Sequence, residues 1–133
     1  MINKIEHIGV AVNDLNFSEK LFERLLGKKP YKKEIIDSEG VVTSFFKLQN
    51  QKLELISANK QSSVITNFIK KRGEGVHHIA LHVDSIEKEI ARLEPLGFEF
   101  ISTIPQKGAD NKMIVFIHPK TTNGVLVELC EDI

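Results

Sequence analysis

A single cysteine, Cys130, excludes an internal disulfide in this chain of 133 residues, and a reducing compartment, by default the cytoplasm, is expected. Neither sign of charge is in excess, because eighteen Lys and Arg balance eighteen Asp and Glu. Without a whole-chain field to attract them, nucleic acid and anionic membrane surfaces are not expected as partners, and a small polar or acylated molecule is. No apolar run approaches the roughly 20 residues that cross a bilayer, and the opening MINKIEHIGVAV lacks the basic segment and long apolar stretch of a secretion signal. Pro-rich, Gly/Ser-rich and single-charge tracts are absent as well. The expectation is a soluble, unprocessed chain folded as one domain over residues 1–133, long enough to bury roughly two-thirds of its unfolded surface.

What the sequence does contain is a repeat. HIGVAVNDL, beginning at His7, returns as HIALHVDSI, beginning at His78; KLELI, with Glu54, returns as LVELC, with Glu128. Offsets of 71, 70 and 74 residues separate His7 from His78, Gly27 from Gly97 and Glu54 from Glu128, so the halves differ by small loop insertions. A chain duplicated in this way builds two like modules, each opening with a histidine and closing with a glutamate.

The first module reads β-α-β-β-β over about residues 3–58. Strict alternation from Ile5 to Val12 predicts a half-buried strand, with Ile8, Val10 and Val12 packed and His7, Gly9 and Ala11 on an open face. Asn16 and Glu19 resemble a capping box, Leu21, Phe22, Leu25 and Leu26 make an apolar stripe, and Gly27 closes the helix over about 15–26. Strands are predicted over 29–36, 41–48 and 52–57. A connecting helix over about 62–72 is capped by Ser62 or Ser63. The second module, about 75–132, repeats the plan: a strand over 76–83, a helix capped by Ser85 and ended near Pro95, and strands near 98–102, 113–118 and 124–131. The fold class is α+β, two tandem βαβββ modules forming a curled mixed sheet around a metal-binding cleft.

Alternation also assigns faces to the candidate ligands. Leu53 and Leu55 flank Glu54, Val127 and Leu129 flank Glu128, and Ile8 and Ile79 follow the two histidines, so His7, Glu54, His78 and Glu128 all project from the side away from the cores. Two imidazoles with two carboxylates suit one divalent ion, Co, Ni, Mn, Fe or Zn, in a five- or six-coordinate site open to water or substrate. Such an ion polarises a carbonyl and acidifies the adjacent C–H, while Glu128 or Glu54 shuttles the proton. His77 points to the core side, His82 lies two pleats (about 13 Å) beyond His78 and belongs to the rim, and Cys130 reads as an ordinary buried thiol.

At KIEHIGVAVNDL, KLELISA, GEGVHHIALHVDSI and HPKTTNGVLVEL the chain resembles the vicinal oxygen chelate superfamily, and within it the methylmalonyl-CoA epimerase family, over nearly its entire length. The resemblance implies paired βαβββ modules around a divalent metal, His7, Glu54, His78 and Glu128 as its ligands, an acyl-CoA substrate, and epimerisation by removal and return of the proton at C2. One departure stands out. Some epimerases of this kind place a glutamate directly after GVV as one of two bases, and here that position is Thr43, leaving Glu39 as one substitute. The chain also resembles glyoxalase I (lactoylglutathione lyase), which shares the ligand quartet, acts on a glutathione hemithioacetal and needs one main proton-shuttling glutamate. A third resemblance is to the metal-free antibiotic-binding proteins of the fold. Lys107, Lys112 and Lys120 lie where CoA phosphates could be met, though solvated surface lysines read the same way. A homodimer is the expected assembly.

Overall fold

The computed structural model describes residues 1–133. In chain order the elements are β1 (Ile2–Ala11), α1 (Leu15–Leu26), β2 (Lys32–Ile36), β3 (Val41–Leu48), β4 (Gln51–Ala58), α2 (Val64–Arg72), β5 (Gly75–Val83), α3 (Ile86–Leu93), β6 (Gln106–Lys107), β7 (Lys112–Ile117) and β8 (Val127–Asp132). This is βαβββ twice, with α2 between the copies. Two compact units divide the chain: Ile8–His77, and Met1–His7 together with His78–Ile133. The divisions fall inside β1 and β5, beside each histidine of the repeat.

In the unit Ile8–His77 the strands run β2-β3-β4 and then the later part of β1. Both β2–β3 and β3–β4 are antiparallel. Val12, Leu15, Phe46 and Leu55 are buried with Phe22 and Leu26 of α1, each fully buried large side chain contributing about 1.5–3 kcal/mol. The helix starts where Asp14, not Asn16, accepts a hydrogen bond from the Phe17 N–H at 3.0 Å. Aspartate caps as well as asparagine and stands immediately before the first turn. Glu19, the supposed partner in the box, is buried and accepts from Ser44 Oγ at 2.7 Å. Gly27 ends the helix at φ 70°, a left-handed conformation that strains other residues.

The face of β1 expected to stay open is covered near its end. Ala11 packs with Val41 and Ile56 beneath Ile65, Phe68 and Ile69 of α2, because the connecting helix turns its apolar side onto the sheet. Ser63 caps α2, its Oγ accepting from the Ile65 N–H at 3.1 Å.

In the other unit the order is the early part of β1, then β5-β8-β7-β6. β5 and β8 are parallel, β7 pairs antiparallel with both β8 and β6, and the sheet is therefore mixed. One face carries Leu81, Val83, Val115, Ile117 and Leu129 against Ile86, Ile90 and Leu93 of α3. A 3-10 turn at Glu94–Leu96, holding Pro95, ends that helix before Gly97. The strand expected near 98–102 is reduced to one bridge, Phe100 to Ile117; Phe98 and Phe100 pack on the core, and Pro105, lacking an N–H, delays pairing until β6. The last strand starts at Val127 rather than 124, since Asn123 and Gly124 take positive φ (55° and 83°) in the turn after a 3-10 segment. No helix is long and apolar enough to cross a membrane.

Candidate metal centre

Parallel pairing of β5 with β8 sets Ala80 beside Glu128 and Leu81 beside Leu129. Leu81 and Leu129 belong to the α3 core, so alternation turns His78, Ala80, Glu128 and Cys130 to the opposite face. His7, in the same unit on β1, completes a buried group there: His7, His78 and Glu128 are 6%, 4% and 4% exposed. The two Nε2 atoms lie 3.0 Å apart, with the rings nearly perpendicular at 87°. Glu128 Oε1 is 3.7 Å from His7 Nε2 and 3.8 Å from His78 Nε2. Phe116, opposite Glu128 in the β7–β8 register, presents its ring edge-on to His78 with centroids 6.1 Å apart.

Glu6 is the residue that sequence reasoning passed over. It is 3% exposed, and its Oε1 lies 3.0 Å from His7 Nδ1. A carboxylate only accepts, so Nδ1 holds the ring proton and Nε2 turns a lone pair inward, the arrangement in which a carboxylate orients a metal-binding histidine. A glutamate immediately before a candidate ligand histidine was the available signal.

These residues fit a divalent ion. Two donors each about 2.1 Å from an ion and at right angles to one another are about 3.0 Å apart, against about 3.4 Å for a tetrahedral pair. The observed Nε2 separation of 3.0 Å lets both nitrogens meet one ion. The carboxylate distances, 3.7 and 3.8 Å, are below the roughly 4.2 Å maximum for two donors on one such ion. Glu6 and Glu128 are both buried carboxylates, and burial of such groups favours a compensating positive charge.

Glu54 lies in the unit Ile8–His77, on β4, 4% exposed. It pairs opposite Phe45 and faces away from Leu53 and Leu55, which pack toward α1. His77 is half-buried, its ring edge-to-face with Phe68 at 4.9 Å. His82 sits between Asn3 and Asp132, 3.1 Å from each, away from the paired imidazoles. Hydrogen bonds from Lys112, first, and His82 hold the Asp132 carboxyl below its ordinary value. Lys112 reaches Asp132 at 2.8 Å, Lys120 reaches Glu99 at 3.2 Å, and Lys107 is exposed. Cys130 is fully buried, with Sγ 3.6 Å from the Leu81 carbonyl.

Paired βαβββ modules with a buried imidazole pair and a carboxylate define a class of metal-binding α+β proteins. A family model of the Glyoxalase/Bleomycin resistance protein/Dioxygenase superfamily matches residues 6–116, and the chain belongs to that superfamily. It is 38% identical over 131 residues to the mitochondrial methylmalonyl-CoA epimerase of Dictyostelium discoideum, covering 98% of this chain and 79% of that one. It is 36% identical over 130 residues to the uncharacterized protein YqjC of Bacillus subtilis, covering 98% and 93%. Among solved structures, a Streptomyces coelicolor methylmalonyl-CoA epimerase variant in complex with 2-nitronate-propionyl-CoA superposes with a TM-score of 0.95 at 28% identity, covering 99% of this chain and 96% of that one.

Proposed function

We propose that this protein is a metal-dependent methylmalonyl-CoA epimerase of the cytoplasm, acting as a homodimer. The observation that carries the proposal is the 3.0 Å approach of His7 Nε2 to His78 Nε2 beside buried Glu128, in a chain 38% identical to an epimerase of that name. In this reading His7, His78, Glu128 and Glu54 hold one Co, Ni, Mn, Fe or Zn ion. When bound, the ion acts as a Lewis acid toward a carbonyl oxygen. Glu6 fixes the His7 ring, Phe116 excludes water from the His78 side, and Glu128, with Glu54, exchanges the proton at C2 of the acyl group as general acid and base. The substrate's thioester makes that C–H acidic, and its loss leaves an enolate that can be reprotonated on either face.

Exchange of deuterium from solvent into C2 of methylmalonyl-CoA, with added Co or Ni, tests the reading directly. Incorporation together with interconversion of the epimers is the expected result. The same protein is given the glutathione–methylglyoxal hemithioacetal in parallel; turnover of that compound alone would replace epimerisation with lactoylglutathione formation, and turnover of neither would leave a binding protein.

A further inference from the structure

Inversion at C2 needs proton-transfer groups on both faces of the carbon, and Thr43 cannot remove a proton from carbon. Its side chain is nonetheless set into the sheet, 1% exposed, with an Oγ1 that has no hydrogen-bond partner. The register shows what stands next to it. Glu34 on β2 pairs directly with Thr43 on β3, which pairs in turn with Ile56 on β4. The adjacent row is Lys32, Phe45 and Glu54. Residues directly opposed in antiparallel strands share a face, with Cβ atoms about 5 Å apart. Glu34 therefore projects on the same face as Glu54, one strand over from Thr43.

The rest of β2 supports this orientation. Lys33, of opposite parity, turns to the α1 side, where its Nζ lies 3.3 Å from Glu19 Oε1, while Lys32 Nζ lies 3.5 Å from Glu34 Oε1. The Glu34 side chain is 28% exposed, so a proton taken up there can be exchanged with water between turnovers. Glu39 stands instead in the turn after β2, its N–H bonded to the Ile36 carbonyl, ahead of β3 and outside the strand pairing that holds Thr43.

We propose that Glu34 is the second proton-transfer residue, supplied by the neighbouring strand in place of a carboxylate at position 43. This inference rests on the epimerase reading. The C2–H bond breaks toward a Glu34 oxygen, giving the carboxylic acid, and its electron pair passes into the thioester as an enolate. An acid on the other face of C2 gives up a proton to form the new C–H bond. The reverse direction exchanges the two roles, and no oxidant or reductant is consumed.

The test compares the wild-type protein with Glu34→Gln, each separately supplied with the (R)- and (S)-epimers in deuterium oxide, with metal added. Expected for the variant is a loss of interconversion of about 100-fold or more, with exchange retained from one epimer and lost from the other. Interconversion within threefold of wild type, or equal loss of exchange from both epimers at an unchanged melting temperature, overturns the assignment while leaving the epimerase reading intact. Wild-type protein inactive toward both epimers overturns both. If Glu34→Gln does not fold, Glu34→Asp carries the comparison: a selective loss with one epimer supports the assignment and wild-type rates overturn it. Introducing Thr43→Glu beside Glu34→Gln is expected to recover at least tenfold of the lost interconversion.

Discussion

Glu6 Oε1 and His7 Nδ1 are 3.0 Å apart, both residues buried, and that contact decides which histidine nitrogen is offered inward. Partners of this kind typically alter metal affinity by 10–100-fold. Glu6→Gln is expected to weaken Co(II) binding by about that factor, read by equilibrium dialysis, with the circular dichroism spectrum unchanged. Affinity within twofold of wild type would show that the carboxylate does not orient the ring.

Ligand binding to the folded state alone raises stability by about 2.7 kcal/mol at a free concentration 100 times Kd. For a chain of 133 residues this corresponds to roughly a 10 °C rise in Tm. Co(II) or Ni(II) should produce such a rise, a chelator should reverse it, and His78→Ala should abolish it. Identical melting with and without metal at millimolar concentration would refute the centre.

Thr43→Val replaces a buried hydroxyl that has no partner by a methyl group of the same shape. Unfolding in urea is expected to show unchanged stability or a gain of about 1 kcal/mol. A loss greater than 1 kcal/mol would mean that the hydroxyl is bonded in the folded protein.

Glu89 is buried on α3 and accepts two hydrogen bonds from Arg92, Nε to Oε2 at 3.0 Å and Nη2 to Oε1 at 3.1 Å. These bonds hold its carboxyl below the ordinary value of 4.5. The unfolded chain therefore takes up this proton first as pH falls. The stabilisation is complete above about pH 4.5 and is lost as acid carries the protein through the lower folded-state value. Glu89→Gln should lower stability near neutral pH by about 1–2 kcal/mol and flatten the acid limb of the stability curve. A variant with an acid limb parallel to that of wild type would show that the ion pair does not contribute.

Much of this architecture was legible because local signals agreed with one another. The stripe from Leu21 to Leu26 and the stop at Gly27 define α1 from sequence, and the alternation around Glu128 correctly sets Leu129 against the α3 core. Long-range features were not legible. Nothing local distinguishes Asp14 from Asn16 as the cap; the direction of Glu19 depends on Ser44, 25 residues away. The segment over 98–102 has strand composition, but pairing requires a partner edge, and here the only registered contact is Phe100 with Ile117. At the site, residue types and faces could be read, whereas the role of Glu6 required the actual distance, and Glu34 emerged only from the β2–β3 register.

The borders of the two compact units fall at His7/Ile8 and His77/His78, so His7 is grouped with the second copy of the repeat although it is encoded in the first. A half-length polypeptide, ending before α2, would carry one of the two imidazoles and would lack the strands with which that residue packs. Two such polypeptides would have to exchange their leading segments before the 3.0 Å approach could form. Fusion of the copies turns that concentration-dependent assembly into an intramolecular event.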